Sequence, residues 1–451
     1  MRYRLAPLPF LVFLSLFLLA AGDARGQDNA ATSPTVSFEE AVRTALSNAR
    51  EVRLAVHDVG ITTEGRTVAA ARRLPRLDAS ADYTALSEPP SVFIQGNPIQ
   101  TAEKNIWRAR LTAEQTIFDF GRTRSRVDQA DARIDNAIRQ EELARERQAL
   151  DVISAFLSAK RADELRLVAE ESLATAKDHR RVAGDQYDFG VVAKNDVLAA
   201  DVQVANAESA LIVAENQVEL ARSRLALRMG YPGDRSLAPA PGPFPIPPEG
   251  APPPLSESLR AALEKRNELR AQGALIREGE SAVSAARTEF TPTFFGQGGY
   301  SYESNDLNPH KSVFSILMGG KVNLFSGFAD DASLRQARLT VDRRKDALGK
   351  LQDEIALEVK AAHLFVTEAE KRKAVAEVAV ARAEENLRIQ NDRYKEGLAI
   401  STEVLDAQTL LTRAKVDRQN AAYDLHEARY RLLAARGELL VFLAPLIVAG
   451  R

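Results

Sequence analysis

Gln186-Tyr187-Asp188-Phe189-Gly190 and Arg393-Tyr394-Lys395-Glu396-Gly397 are one turn written twice, 207 residues apart. The same offset sets Val197-Leu198 over Val404-Leu405, Ile117-Phe118 over Leu324-Phe325, Gln129-Ala130 over Gln336-Ala337, and Gly230 over Gly437. Upstream the offset becomes 217: Phe38 meets Leu255, Ala45-Leu46 meets Ala262-Leu263, Glu51 meets Glu268 and Pro75 meets Pro292. A chain that carries one supersecondary unit twice is a repeat architecture, and the repeat decides the fold more firmly than any single motif. The extra residues of the first copy fall between Pro75 and Ile117, in the loop from Ser87 to Lys104.

Within each copy the apolar period changes. Gly121 to Gln186 and Phe328 to Arg393 contain no proline, are rich in Ala, Glu, Arg and Leu, and show helical spacing in Val127, Ala130, Ile134, Ala137 and Ile138. At 1.5 Å per residue each predicts a helix of about 100 Å. Two shorter helices, near Asn195–Met229 and Ser256–Glu289, cover about that length when stacked end to end. Alanine dominates the stripe, so backbones can approach closely along a coiled-coil seam. The segments between the helices alternate with a period of two, as strands with one polar face do. These are Leu77 to Ala85, Trp107 to Glu114, Phe294 to Tyr302, and a last row of Phe314, Ile316, Met318, Gly320, Val322 and Leu324. The fold class is mainly α with β. The first repeat, 27–230, reads as helix 38–72, β-hairpin 77–118 and helical hairpin 121–230. The second, 255–440, reads as helix 255–290, β-hairpin 293–325 and helical hairpin 328–440. Residues 231–254 hold ten of the twenty prolines and must run extended; they read as a flexible hinge between domains or, since the helices on each side are too thin to bury cores alone, as a strap along the outside of one joint structure. An apolar tail, 441–451, follows.

Residues 1–26 carry Arg2 and Arg4, an apolar run from Leu8 to Ala21 and small residues around Ala24 and Gly26. That is the layout of a cleaved signal peptide, the run being too short to span a membrane. A formal charge of −2 gives no support to nucleic-acid binding. The absence of cysteine excludes disulfides, thiolate metal sites and thiol catalysis. The five histidines, His57, His179, His310, His363 and His426, stand apart without acidic clusters, so neither a metal site nor any other cofactor is expected. No nucleophile elbow, phosphate loop or dinucleotide fingerprint is present, and the reading is of a non-enzyme. Strands near ten residues with Trp or Tyr near their ends suit a membrane barrel, but four cannot close one around water, so several chains must contribute.

The order and duplication of Phe118-Asp119-Phe120-Gly121-Arg122, Leu324-Phe325-Ser326-Gly327, the two Tyr-x-x-Gly turns and Val404-Leu405-Asp406-Ala407 resemble the TolC-like outer-membrane efflux family over about Phe38 to Glu438. The resemblance implies a homotrimer whose twelve-stranded β-barrel continues into an α-helical tunnel. Such a conduit passes substrates out of the cell passively, with a periplasmic adaptor and an inner-membrane pump, in tripartite efflux or type I secretion. It further implies that Glu403 and Asp406 form carboxylate rings at a constriction, Glu403 standing where the family carries Asp. Asp196 and Tyr394 match a clasp at the closed tip, while the Arg usual five residues after that tyrosine is Ala399 here. The turns at Tyr187, Gly190, Tyr394 and Gly397 match the adaptor-docking surface. Read without the resemblance, Glu403 and Asp406 are acidic residues in a first helical turn, where the dipole favours them, and Ser401 could cap that helix. The alternative architecture is an elongated periplasmic coiled-coil scaffold or adaptor whose hairpins stay out of the membrane.

Overall fold

The computed structural model describes residues 34–248, 250 and 252–448; the expected signal peptide lies outside the described residues. The first repeat runs β1 (Thr35–Val36), α1 (Phe38–Asn48), α2 (Arg50–Ala71), β2 (Arg76–Ala85), β3 (Ser91–Ile94), β4 (Asn97–Gln100), β5 (Asn105–Phe118), α3 (Arg122–Asp188) and α4 (Lys194–Arg228). After the strap, which contains β6 (Ala238–Pro239), come α5 (Leu255–Lys265), α6 (Asn267–Arg287), β7 (Thr293–Glu303), β8 (Ser312–Lys321), α7 (Ala329–Lys395), α8 (Ser401–Ala435) and α9 (Leu439–Val448). α3 and α7 are each 67 residues long, which makes them about 100 Å rods.

Helix 38–72, expected to be continuous, is broken at Ala49, and helix 255–290 is broken at Arg266. Both breaking residues are extended, with φ/ψ of −59°/136° and −65°/129°. The cause sits opposite each break. Gly230 and Gly437, at φ +88° and +70°, end α4 and α8 in paired 6→1 and 5→2 hydrogen bonds. A Cβ on Gly230 would lie 2.7 Å from the Asn48 carbonyl oxygen, and one on Gly437 3.2 Å from the Arg266 nitrogen. Each joint is thus a helix end docked on a helix break, repeated in both halves.

The main core surrounds the first joint. Phe38 of α1 packs on Phe156 of α3, on Tyr430 of α8 and on Phe244 of the strap. The strap is held by parallel pairing of β1 with β6 and by the Tyr430 hydroxyl donating to the Pro245 carbonyl. The apolar tail is not loose: it forms α9 through Pro445, and Leu439 and Leu443 are buried in the same core.

β2, β5, β7 and β8 form one antiparallel sheet in that order, so the two hairpins join edge to edge through β5 and β7. The loop Ser87–Lys104 is not plain loop but carries the β3–β4 hairpin, turned at Gln95 and Gly96, both at positive φ. The last strand ends at Lys321, before the expected Val322 and Leu324. Gly327 and Phe328, both left-handed, turn the chain into α7 there, as Phe120 and Gly121 turn it into α3. Asp119 accepts from the Thr123 backbone at 2.8 Å, and its repeat equivalent Ser326 accepts from the Asp330 backbone at 3.2 Å, so each helix start is capped from the turn before it.

Candidate functional site

Two regions carry chemistry that packing alone does not explain: the sheet and the far ends of the helical hairpins.

Cross-strand register sorts the sheet into two faces. On one, Tyr83 lies opposite Trp107, Leu111 opposite Tyr300, Tyr300 opposite Phe314, and Gly296 opposite Met318. All of these side chains are exposed, Met318 at 77%. Phe294 lies over Gly320, where a Cβ would come within 2.9 Å of its ring, so the glycine makes room for the aromatic. On the other face stand Arg76, Asp78, Asp82, Arg108, Arg110, Glu114 and Glu303, with Arg108 paired to Glu303 at 3.3 Å and to Asp82 at 3.8 Å. Phe118, Phe120, Phe325 and Phe328 are exposed where the strands feed the long helices. An apolar face about ten residues tall, aromatic at both ends and backed by a charged face, fits a strand set between lipid and water.

At the opposite end of the hairpins the two repeated turns share one backbone. Val191 donates to the Gln186 carbonyl at 2.8 Å and Gly190 to Tyr187 at 2.8 Å; Leu398 donates to Arg393 at 2.8 Å and Gly397 to Tyr394 at 3.0 Å. Gly190 and Gly397 supply the left-handed residue, at φ +73° and +72°. The side chains differ. Tyr187 is 42% exposed, beside exposed Phe189 and Val191, whereas Tyr394 is 2% exposed in a small core with Leu387, Val404 and Ala407. The Tyr394 hydroxyl has no hydrogen-bond partner among the described residues. Burial and then the Asp196 carboxylate push its phenol above the usual range; Ser401, close by, works the other way without reaching it in hydrogen-bond geometry. The structure therefore brings Asp196 and Tyr394 to one end as neighbours without a bond between them.

Glu403 and Asp406 lie three apart on the first turns of α8. Asp406 is exposed and has no ion-pair partner among the described residues, while half-buried Glu403 stands 3.6 Å from Arg393. Ser401 does not cap α8, whose N-cap is Ile400; its hydroxyl instead meets the ring of His179 at 2.9 Å. Metal-ligand spacing does not pick out His179. The legible signal was its place in the buried stripe Ala176, His179, Ala183 of α3.

The second joint concentrates charge. Arg266 holds Glu268 at 2.8 Å and Glu358 at 2.5 Å beside a cavity of about 380 Å³ that also takes in Glu146, Arg147 and Glu354. Burial, then the Glu268 carboxylate, raises Glu146 to about 7, against the pull of Arg266. No group of His, Asp and Glu among the described residues has the geometry to hold a metal ion.

Long helical hairpins closed by tight turns at one end and joined to a sheet with one apolar face at the other define an outer-membrane channel class. The chain belongs to the outer membrane efflux protein family, whose model matches residues 41–231 and 258–438. It is 21% identical over 389 residues to the outer membrane efflux protein BepC of Brucella suis biovar 1 (strain 1330), covering 84% of this chain and 81% of that protein. A membrane protein of Pseudomonas aeruginosa superposes with a TM-score of 0.77 at 21% identity, covering 89% of this chain and 93% of its own. The outer membrane protein VceC of Vibrio cholerae does so with a TM-score of 0.76 at 19% identity, over 89% and 96%. The protein is accordingly an outer-membrane efflux channel protein and not an enzyme.

Proposed function

We propose that three copies of this chain assemble into a conduit. Each gives its four strands to a twelve-stranded barrel, and the helices continue as a tunnel into the periplasm. Residues 1–26 direct export. The observation that carries this reading is the sheet: β2 and β8 are open edges of a four-stranded sheet with one apolar and one charged face, and only closure with other sheets leaves neither edge nor face unmatched. The helices support it. α2 buries only Val52 and leaves Leu54, Ile61 and Val68 exposed, and α4 exposes Leu198, Val202, Ile212 and Val213. Apolar surface on this scale suits contact with further chains. A periplasmic scaffold or adaptor leaves the apolar sheet face without a role.

Through such a tunnel substrates leave passively, delivered by an inner-membrane pump and a periplasmic adaptor in tripartite efflux or type I secretion. The turns at Tyr187, Gly190, Tyr394 and Gly397 are the surface that meets the adaptor, with Phe189, Val191, Leu398 and Ile400 as its exposed apolar contacts. Glu403 and Asp406 form the acidic constriction of the entrance, and Asp196 with Tyr394 belongs to the contacts that keep it shut. The test is extraction and assembly. The protein purified in detergent should run as a trimer, and Met318→Arg should destabilise assembly by about 2–4 kcal/mol, since mid-strand residues face the bilayer midplane. A monodisperse monomer that needs no detergent, or an M318R protein that assembles normally, contradicts the barrel.

A further inference from the structure

His179 sits on α3 two turns before its end, is 4% exposed, and bridges the two repeats. Its Nε2 is 2.9 Å from the Ser401 hydroxyl at the first residue of α8, and its ring centroid is 5.1 Å from that of Tyr394 at the end of α7. The second repeat has Asn386 at the equivalent position, so this contact belongs to one repeat only. At the tip the hairpins are further joined by Gln186, whose amide donates to the Tyr394 carbonyl at 3.2 Å. The next polar links between them, Ser172 with Thr412 and Lys415 with Glu171, lie further up the helices.

We propose that His179 is a positioning residue of the tip, a latch that holds the start of α8 to α3 while neutral and releases it when protonated. This rests on reading the tip as the closed entrance of a conduit. Three features favour release. An imidazolium buried here loses its hydration. It lies against the first residue of α8, the positive end of that helix's dipole, where a cation is disfavoured. Protonation also fixes Nε2 as a donor, so the ring can no longer accept the Ser401 hydroxyl and Ser401 must turn to accept instead. The charges around the ring are arranged unequally. Asp178 on α3 and Asp196 on α4 both belong to the first hairpin and attract an imidazolium. From the second hairpin the ring meets Tyr394 on α7 and Ser401 on α8, both neutral. The nearest charges in that hairpin's sequence are Arg393, Lys395 and Glu403; Arg393 and Glu403 are paired at 3.6 Å, which leaves the Lys395 cation next to Tyr394. Protonation thus shifts the ring's allegiance toward the first hairpin and loosens its hold on the second.

Burial pulls the imidazole below its free value of 6.5, and the two carboxylates only partly offset this. The closed tip therefore loses stability as pH falls below about 6.5, and the loss is complete once pH is under the depressed value. Each unit of depression multiplies the open-to-closed ratio by about tenfold per latch.

The experiment uses the full-length trimer in planar bilayers, with open conductance recorded as pH is stepped from about 7.5 to about 5, across the imidazole range. The unmodified channel should open progressively on acidification. His179→Gln, which can still bond Ser401 but does not titrate there, should lose most of that rise. Ser401→Ala should begin more open at neutral pH and respond less. A conducting trimer with a flat profile, or an H179Q channel that keeps the full rise, overturns the latch. A protein that forms no conducting trimer at any pH overturns the conduit reading and the latch with it.

Discussion

Both helical hairpins end twice in the same hydrogen-bonded turn, once at the tip and once at the joint, yet the surroundings of the two ends are opposite. Among the described residues nothing approaches within 4 Å of where a Cβ would stand at Gly190 and Gly397, whereas at Gly230 and Gly437 a Cβ would meet backbone. The glycines at the tip serve only local backbone geometry. Those at the joint also allow a second chain segment to come close, and that contact breaks α1–α2 and α5–α6 where they break. The joint is therefore a fixed fulcrum. The tip is held by side chains: one buried tyrosine, one histidine and a few cross-hairpin hydrogen bonds.

The sharpest way to break that contrast is to put the same methyl group at both ends. Gly230→Ala combines φ +88° with a Cβ 2.7 Å from the Asn48 carbonyl and should cost about 3–5 kcal/mol. Gly190→Ala meets only the left-handed penalty, about 1 kcal/mol. Unfolding midpoints of the two purified variants check this, and equal losses would mean that the joint is no tighter than the tip.

A second difference is electrostatic. Glu146 at the joint is raised to about 7 from 4.5, so the protein favours its protonated form and loses stability as pH climbs between those values. Glu146→Gln should gain about 3 kcal/mol above pH 7 and nothing below the ordinary carboxylate range. A pH series of thermal melts reads the difference; a gain that is the same at acid pH contradicts the assigned environment.

The smallest effect separates the two tyrosines. Tyr394→Phe removes a buried hydroxyl that has no partner among the described residues and in the unassembled chain should be neutral or stabilising by about 1 kcal/mol. Tyr187→Phe, on an exposed ring, should stay within about 0.5 kcal/mol. Destabilisation by Tyr394→Phe in the assembled protein would instead reveal a partner for that hydroxyl across the subunit boundary.

The duplicated turns, the 67-residue rods and the alternating strands were legible because each is a local pattern written in period and spacing. The breaks at Ala49 and Arg266 were not, because nothing at those residues forbids helix; the constraint comes from Gly230 and Gly437, far away in sequence. The early end of β8 followed from left-handed Phe328, a conformation that sequence does not announce for a phenylalanine. At the tip the repeat sets a tyrosine at the same position of both turns. Their unequal burial depends on which hairpin lies over which, and so on His179 and Ser401, residues that carry no motif. The ion pair of Glu403 with Arg393 was equally hidden, and it singles out Asp406 as the carboxylate of the two without an ion-pair partner among the described residues.

Ion selectivity is the property that an acidic entrance controls. In planar bilayers the channel should prefer cations and be blocked by divalent or trivalent cations, because three copies of Glu403 and Asp406 would face one axis. Replacing them together by Gln and Asn should abolish both properties while trimers still form. Asp406→Asn alone should remove more of the preference than Glu403→Gln alone, since Arg393 already opposes Glu403. Selectivity and block unchanged in the double variant would contradict the acidic entrance, and the constriction would then lie elsewhere along the tunnel.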